Sequence, residues 1–138
     1  MNIIYTAVAT ASGDGRSGHS ESEDGQLSVD VRVPKEMGGP GGGTNPEQLF
    51  AAGYAACFHS ALKVAGRSES ADLTDSQVSA SVGLGRQQSG GFGLTGALDI
   101  HTPHLERSSA LELAHKAHQL CPYSNAIKGN VDVALSIV

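Results

Sequence analysis

Four stretches of this chain alternate apolar and polar residues with a period of two. Leu27, Val29, Val31 and Val33 fall on one side of the first, with Ser28, Asp30 and Arg32 on the other. Val78, Ala80, Val82 and Leu84 alternate with Ser79, Ser81 and Gly83, and Val131, Val133, Leu135 and Ile137 alternate with Asp132, Ala134 and Ser136. Phe92, Leu94, Leu98 and Ile100 share one face of the remaining stretch. A period of two predicts strands with one face on a core and one in water. A weaker first strand is expected near Ile3 to Thr10. Ser89-Gly90-Gly91, between two strands, reads as a hairpin turn.

Two helices interrupt the strands. The first is expected from about Pro46 to Ala65: Asn45 is a good N-cap, Pro46 suits the first helical position, and Gln48 completes a box-like pattern. The second is expected from about Ser108 to Leu120, with Glu112 early, Lys116 late and Pro122 as its stop. Strands, helix, strand pair, helix, strand is an α+β order, and antiparallel sheet is the expected arrangement.

The first helix is apolar on almost every side. Leu49, Phe50, Ala52, Tyr54, Ala56, Phe58, Leu62 and Val64 leave it little polar face. Such a helix is stable only when surrounded, and a short chain has difficulty surrounding it alone. A homodimer whose halves wrap this helix is therefore expected.

Composition narrows the function. The 138 residues suit one domain, 1–138, and 39% apolar residues suffice for a modest core. The formal charge is −5 with no basic cluster, which argues against a nucleic-acid partner. The opening Met1-Asn2-Ile3-Ile4-Tyr5-Thr6-Ala7 does not read as a signal peptide. Gly53, His59 and Ser60 break the longest uncharged run, so a membrane span is not expected. A cytoplasmic protein is the expectation, and there a permanent structural disulfide is disfavoured. The eighteen glycines fall in turns and one tract, without the period of collagen or a solenoid.

Cys57 and Cys121 are the only cysteines. Cys57 sits within the first helix. The default for a lone helical cysteine is a small buried hydrophobe, because apolar burial makes a thiol inert unless a cation lies close. Cys121 follows the second helix directly, against Pro122; the helix-end carbonyls make it a poor attacking thiol, yet it can close a disulfide on an oxidised partner. By spacing alone, a plain packing role fits Cys121 equally well. Arg16, in Ser12-Gly13-Asp14-Gly15-Arg16-Ser17-Gly18, reads as a solvated loop arginine, and Glu47 as a first-turn charge complementing the helix dipole.

Other motifs carry less. Gly38-Gly39-Pro40-Gly41-Gly42-Gly43 precedes a helix, but no Lys-Ser/Thr follows and Glu47 would repel an anion, so a flexible flap fits better than a phosphate loop. His115, His118 and Cys121 recur at spacings of three without a fourth ligand or a common zinc spacing. No Gly-x-Ser-x-Gly, Walker or His-Glu-x-x-His motif is present.

Two long segments resemble a known family. Gly43-Thr44-Asn45-Pro46-Glu47-Gln48-Leu49-Phe50-Ala51-Ala52-Gly53-Tyr54-Ala55-Ala56-Cys57-Phe58 resembles the organic hydroperoxide resistance branch of the Ohr/OsmC family. So does Ala117-His118-Gln119-Leu120-Cys121-Pro122-Tyr123-Ser124-Asn125-Ala126, with Gly129-Asn130-Val131-Asp132-Val133. The opening Tyr5 to Ala11 and the loop at Gly15-Arg16 also fit, so the resemblance spans almost the whole chain.

The resemblance implies an α+β, OsmC/Ohr-like intertwined homodimer with antiparallel sheets around two central helices. It implies a thiol-dependent peroxidase without a cofactor, reducing organic hydroperoxides to alcohols and recycled by a lipoylated protein or another dithiol. Matched motif to motif, Cys57 is the peroxidatic and Cys121 the resolving cysteine, with Arg16 and Glu47 the activating pair. Phe50, Tyr54, Phe58 and Phe92 are the expected lining of an apolar substrate pocket. Glu47 and Cys57 lie ten positions apart on one helix, roughly 15 Å along its axis. A site shared between two subunits is therefore expected. The alternatives are a related osmotically induced peroxidase, a thiol redox sensor, or a non-catalytic binding module using the same apolar pocket.

Overall fold

The computed structural model describes residues Met1–Val138. The elements run β1 (Ala9–Asp14), β2 (Ser17–Ser22), β3 (Ser28–Val31), a short 3₁₀ turn (Lys35–Met37), α1 (Pro46–Ser68), β4 (Gln77–Arg86), β5 (Phe92–His101), α2 (Arg107–Leu120), α3 (Pro122–Ile127) and β6 (Val133–Ile137). The chain forms two compact units, Met1–Leu49 and Phe50–Val138.

The first unit is an antiparallel sheet in the order β1-β2-β3. The strand expected at Ile3 to Thr10 is displaced: pairing begins at Ala9, and Ile3 to Val8 have no regular structure. Ile3, Ile4, Tyr5 and Val8 are all exposed, so their apolar pattern has no core within this unit to bury it. β2, Ser17–Ser22, was not legible because Ser-Gly-His-Ser-Glu-Ser carries no apolar alternation. Gly15 and Arg16 form the two-residue turn that joins β1 to β2, where Asp14 pairs with Ser17. Gly15 has φ of 64°, the left-handed first position that glycine fills in such hairpins.

The glycine tract is pinned rather than a free flap. Gly39 N–H donates to the Pro34 carbonyl at 3.0 Å and Gly41 N–H to the Val33 carbonyl at 3.0 Å. A Cβ at Gly39 would run into the Val33 carbonyl. Thr44 then pairs with the free side of β3, donating to Asp30 and accepting from Arg32, both at 2.9 Å.

The second unit holds the main core. β5 is central in the order β4-β5-β6. Its pairing with β4 is antiparallel, as expected, around a turn where Gln87 N–H reaches the Gly91 carbonyl at 3.1 Å. Its pairing with β6 is parallel, so the second sheet is mixed and not wholly antiparallel. The reason is topological: α2 and α3 lie between β5 and β6, and a helical crossover returns the chain in the same direction. Register places Val78, Ile100 and Ile137 in one row and Ala80, Leu98 and Leu135 in the next. These rows meet Tyr54, Phe58, Leu62 and Ala65 of α1 and Leu113, Ala114 and Ala117 of α2 in one buried cluster.

Both long helices form where the sequence predicts. Asn45 caps α1, its Oδ1 accepting the Gln48 N–H at 2.9 Å. The Gln48 side chain does not close a reciprocal box; it accepts from the Thr44 hydroxyl at 2.9 Å. α2 ends at Leu120, but Pro122 opens a further helix, α3, in which it occupies the first turn where a missing N–H costs nothing. Along α1 the residues Ala52, Ala56, Ser60 and Val64 form an exposed row at a spacing of four. A helix expected to be covered on every side thus shows one uncovered face of mostly small residues.

Candidate functional site

The two thiols meet. Cys57 and Cys121 are 64 positions apart in sequence, and their sulfurs lie 3.7 Å apart, both free. α1 carries Cys57 on the flank of its buried face. Cys121 ends α2 and begins α3: its N–H donates to the Ala117 carbonyl at 2.8 Å, and its carbonyl accepts the Asn125 N–H at 3.0 Å. A disulfide needs about 2.05 Å between sulfurs, so a small approach joins them. The two differ in access. Cys121 is 0% exposed, whereas Cys57 is only partly covered.

Burial pushes the Cys57 thiol above its ordinary value; the Tyr123 backbone N–H opposes this, and the adjoining Cys121 thiol adds to it. Within Phe50–Val138 no cation offsets the burial, so that unit alone favours the neutral thiol over the thiolate.

The other two expected residues also meet, in the first unit. Arg16 projects from its hairpin turn and grips Glu47 with two parallel bonds, Nη1 to Oε2 at 2.8 Å and Nη2 to Oε1 at 2.6 Å. The guanidinium remains 38% exposed while the carboxylate is 15% exposed. The hydrogen bonds from Arg16 hold the Glu47 carboxyl below the usual carboxylate range against the opposing effect of burial. Arg16, read by composition as a solvated loop residue, is instead a turn residue locked in a planar fork. Such a fork leaves the guanidinium oriented and its outer edge available.

The aromatic residues separate into three environments. Phe50 and Tyr54 pack edge-on at 6.0 Å between centroids, and Tyr123 of α3 joins both, at 5.7 Å from Phe50 and stacked at 5.9 Å on Tyr54. Gly53 makes room: a Cβ there would sit 2.8 Å from the Tyr123 hydroxyl. Phe58 is 0% exposed and belongs to the core, with His118 beside it. Phe92 is in neither group. It lies at the turn end of the β4–β5 hairpin, 63% exposed, under the Arg86 guanidinium. The alternation that grouped it with Leu98 and Ile100 continues past the end of the core.

Tyr123 and Ser124 are the residues that sequence reasoning left without a role. The Tyr54 hydroxyl and Ser124 Oγ are hydrogen-bonded at 2.8 Å in a buried setting. The available signal was spacing: Cys121 and Ser124 are three apart, as are Tyr54 and Cys57. His115 is exposed and His118 half-buried with its Nδ1 unpartnered; no three His, Cys, Asp or Glu side chains converge as a metal site requires. No helix is long and apolar enough to cross a membrane.

Comparison with known proteins gives the family of the chain. A family model described as OsmC-like protein matches residues 39–136. The organic hydroperoxide resistance protein of Xanthomonas axonopodis pv. citri (strain 306) is 48% identical over 137 residues, covering 98% of this chain and 95% of the relative. The crystal structure of an organic hydroperoxide resistance protein OsmC from Legionella pneumophila superposes with a TM-score of 0.93 at 49% identity, covering 99% of this chain and 98% of that one. That of OhrB from Bacillus subtilis superposes with a TM-score of 0.90 at 45% identity, covering 99% and 100%. The chain belongs to the OsmC-like protein family, in its organic hydroperoxide resistance branch.

Proposed function

We infer that this protein is a cysteine-based peroxidase that reduces organic hydroperoxides to alcohols. The observation that carries the reading is the pair of free thiols 3.7 Å apart, of which only Cys57 reaches the surface. A peroxide can meet Cys57 alone, and Cys121 waits behind it. Relatives named for organic hydroperoxide resistance support the substrate class.

The chemistry then runs in three steps. The Cys57 thiolate attacks the distal peroxide oxygen; the O–O bond breaks, and the alkoxide leaves and takes a proton to become the alcohol. Cys57 becomes a sulfenic acid, oxidised by two electrons. The Cys121 sulfur attacks the Cys57 sulfur, hydroxide leaves with the thiol proton as water, and a disulfide forms. A dithiol such as a lipoylated protein returns two electrons by exchange through a mixed disulfide.

The first step calls for a cation, because burial disfavours the Cys57 thiolate. The Arg16–Glu47 fork is suited to supply it: Glu47 orients the guanidinium, and the guanidinium favours the thiolate. In our reading that fork serves the Cys57 of a second copy, in a homodimer that makes 1–138 work as one domain. The exposed row Ala52, Ala56, Ser60 and Val64 and the exposed apolar Ile3, Ile4, Tyr5 and Val8 both call for such a partner. Of the expected four, Tyr54 and Phe58 are sealed in the core and Phe92 stands on the hairpin, which leaves half-buried Phe50, two turns before Cys57 on α1, as the one to touch an alkyl substituent.

Consumption of cumene hydroperoxide with dihydrolipoamide as the only reductant tests this function. Turnover that disappears in Cys57→Ser is the expected result. A protein that leaves the hydroperoxide untouched while its thiols stay reduced would refute it.

A further inference from the structure

α1 and the segment from Cys121 into α3 face each other as a two-rung ladder. α1 presents Tyr54 and Cys57, three positions apart; the opposite segment presents Ser124 and Cys121 at the same spacing. One rung is the pair of sulfurs at 3.7 Å and the other is the Tyr54–Ser124 hydrogen bond at 2.8 Å. The second rung is buried: Tyr54 is 1% and Ser124 is 3% exposed. Tyr123, between the rungs, stacks on Tyr54 and fits over Gly53, and its backbone N–H acts on the Cys57 sulfur.

The thiol rung alone does not fix this register. Two thiols at 3.7 Å attract each other weakly, and the sulfurs must move when a disulfide opens or closes. α3 is a single short helix of six residues, too short to hold itself in place. A permanent buried hydrogen bond one turn away holds the segment while the sulfur pair changes state.

Resting on the peroxidase reading above, we propose that Tyr54 and Ser124 are positioning residues for the resolving step: their hydrogen bond keeps Cys121 in line with Cys57 so that a sulfenic acid at Cys57 is closed to a disulfide before it meets a second peroxide. Neither residue touches the reacting atoms. The step they serve is the attack of the Cys121 sulfur on the Cys57 sulfur, with the S–O bond breaking and water leaving. When that attack slows, the competing event is oxidation of the sulfenic acid by another hydroperoxide molecule to the sulfinic acid, with a second alcohol released.

The test uses the full-length protein with Tyr54→Phe, Ser124→Ala and both together. The reduced protein is mixed with one equivalent of cumene hydroperoxide and quenched with acid at successive times. Mass spectrometry then counts sulfenic acid (trapped by dimedone), disulfide and sulfinic acid. Loss of the rung should slow disulfide closure roughly fivefold to tenfold in each variant, the worth of one buried hydrogen bond, while Ser124→Ala should leave peroxide consumption in the first turnover within about twofold. Sulfinic acid should rise correspondingly under excess peroxide. The double variant, with no polar atom stranded, should resemble either single variant in closure rate while melting closer to the parent. Closure at the parental rate in the double variant would overturn the proposal, as would equal slowing of both steps in Ser124→Ala, which marks general loosening. Failure of the parent protein itself to consume hydroperoxide would instead refute the peroxidase reading, so the two failures are distinct.

Discussion

The thiol pair and the ion pair are built in opposite ways. Cys57 and Cys121 are brought together by core packing: α1, α2 and β5 bury Tyr54, Phe58, Leu98 and Leu113 around them, and the sulfurs meet as a consequence. Arg16 and Glu47 meet at the edge of a small sheet whose first strand is exposed along its whole length. That contact rests on one two-residue turn and one helix start. The core makes a reactive group quiet, since burial lifts the Cys57 thiol; the rim holds a charge ready, since two bonds fix the guanidinium in a plane. Chemistry that needs both a dry thiol and a fixed cation gains from having each made where it is easiest to make.

Breaking the core half should have the largest effect. Cys57→Ser should lower turnover by about a thousandfold or more, as loss of a nucleophile does. Cys121→Ser should still consume one equivalent of hydroperoxide per site and then stop, which a burst assay without reductant measures directly. Breaking the rim half comes next. Arg16→Ala removes the opposite charge; such a charge shifts a pKa by roughly one to three units, so the thiolate at neutral pH should fall by about tenfold to a thousandfold. Titrating thiolate absorbance in a Cys121→Ser background checks it, and the midpoint should lie above the ordinary thiol range. Glu47→Gln should give a smaller shift in the same direction, since the guanidinium stays but loses its orientation.

Substrate choice sharpens the comparison further. If an apolar wall beside Cys57 receives the substituent, each buried methylene is worth about 0.8 kcal/mol, roughly fourfold in kcat/KM. A series of alkyl hydroperoxides should therefore climb with chain length, and hydrogen peroxide should be the poorest. A flat series would show that the wall contributes nothing.

The smallest effect separates the two regions by pH. Burial lowers His59, with Lys63 adding, and burial lowers His118, with His115 and Lys128 adding. A histidine depressed in the folded state contributes stability that is complete above its unfolded value, about 6.5, and lost as pH falls through its folded value. Glu47 is likewise depressed, so its contribution is complete above about 4.3 and lost only at more acid pH. Melting temperature should therefore decline in two stages as pH falls, the half-buried histidines first and the ion pair last. His118→Gln should flatten the first stage and Glu47→Gln the second. The ion pair, partly exposed through Arg16, should also weaken with added salt.

Much of this was legible in the sequence, for identifiable reasons. The four alternating strands and both long helices declared themselves because each buries one face, and burial writes a period. Cys57, Cys121, Arg16 and Glu47 emerged through resemblance, not spacing; each has an ordinary reading that fits its local sequence equally well. β2 was illegible because its side chains are small and polar, so pairing and not burial forms it. The parallel return of β6 follows from what α2 and α3 do in space, which alternation does not record. Phe92 looked like its neighbours in the pattern, yet the hairpin outruns the core and leaves it under Arg86. The Tyr54–Ser124 bond joins residues 70 positions apart, and only the packed helices bring them together.

Subunit mixing tests the central claim most directly: a thiol silenced by its own core is activated by the Arg16–Glu47 fork of a second copy. Cys57→Ser protein carries an intact fork and no nucleophile, and Arg16→Ala protein carries the nucleophile without the fork. Unfolded together and refolded, the two should form mixed dimers that regain about one working site each. Hydroperoxide consumption well above the sum of the separate proteins is the predicted result. A mixture that exchanges subunits yet stays at that sum, or a stable monomer with full activity, would contradict the account.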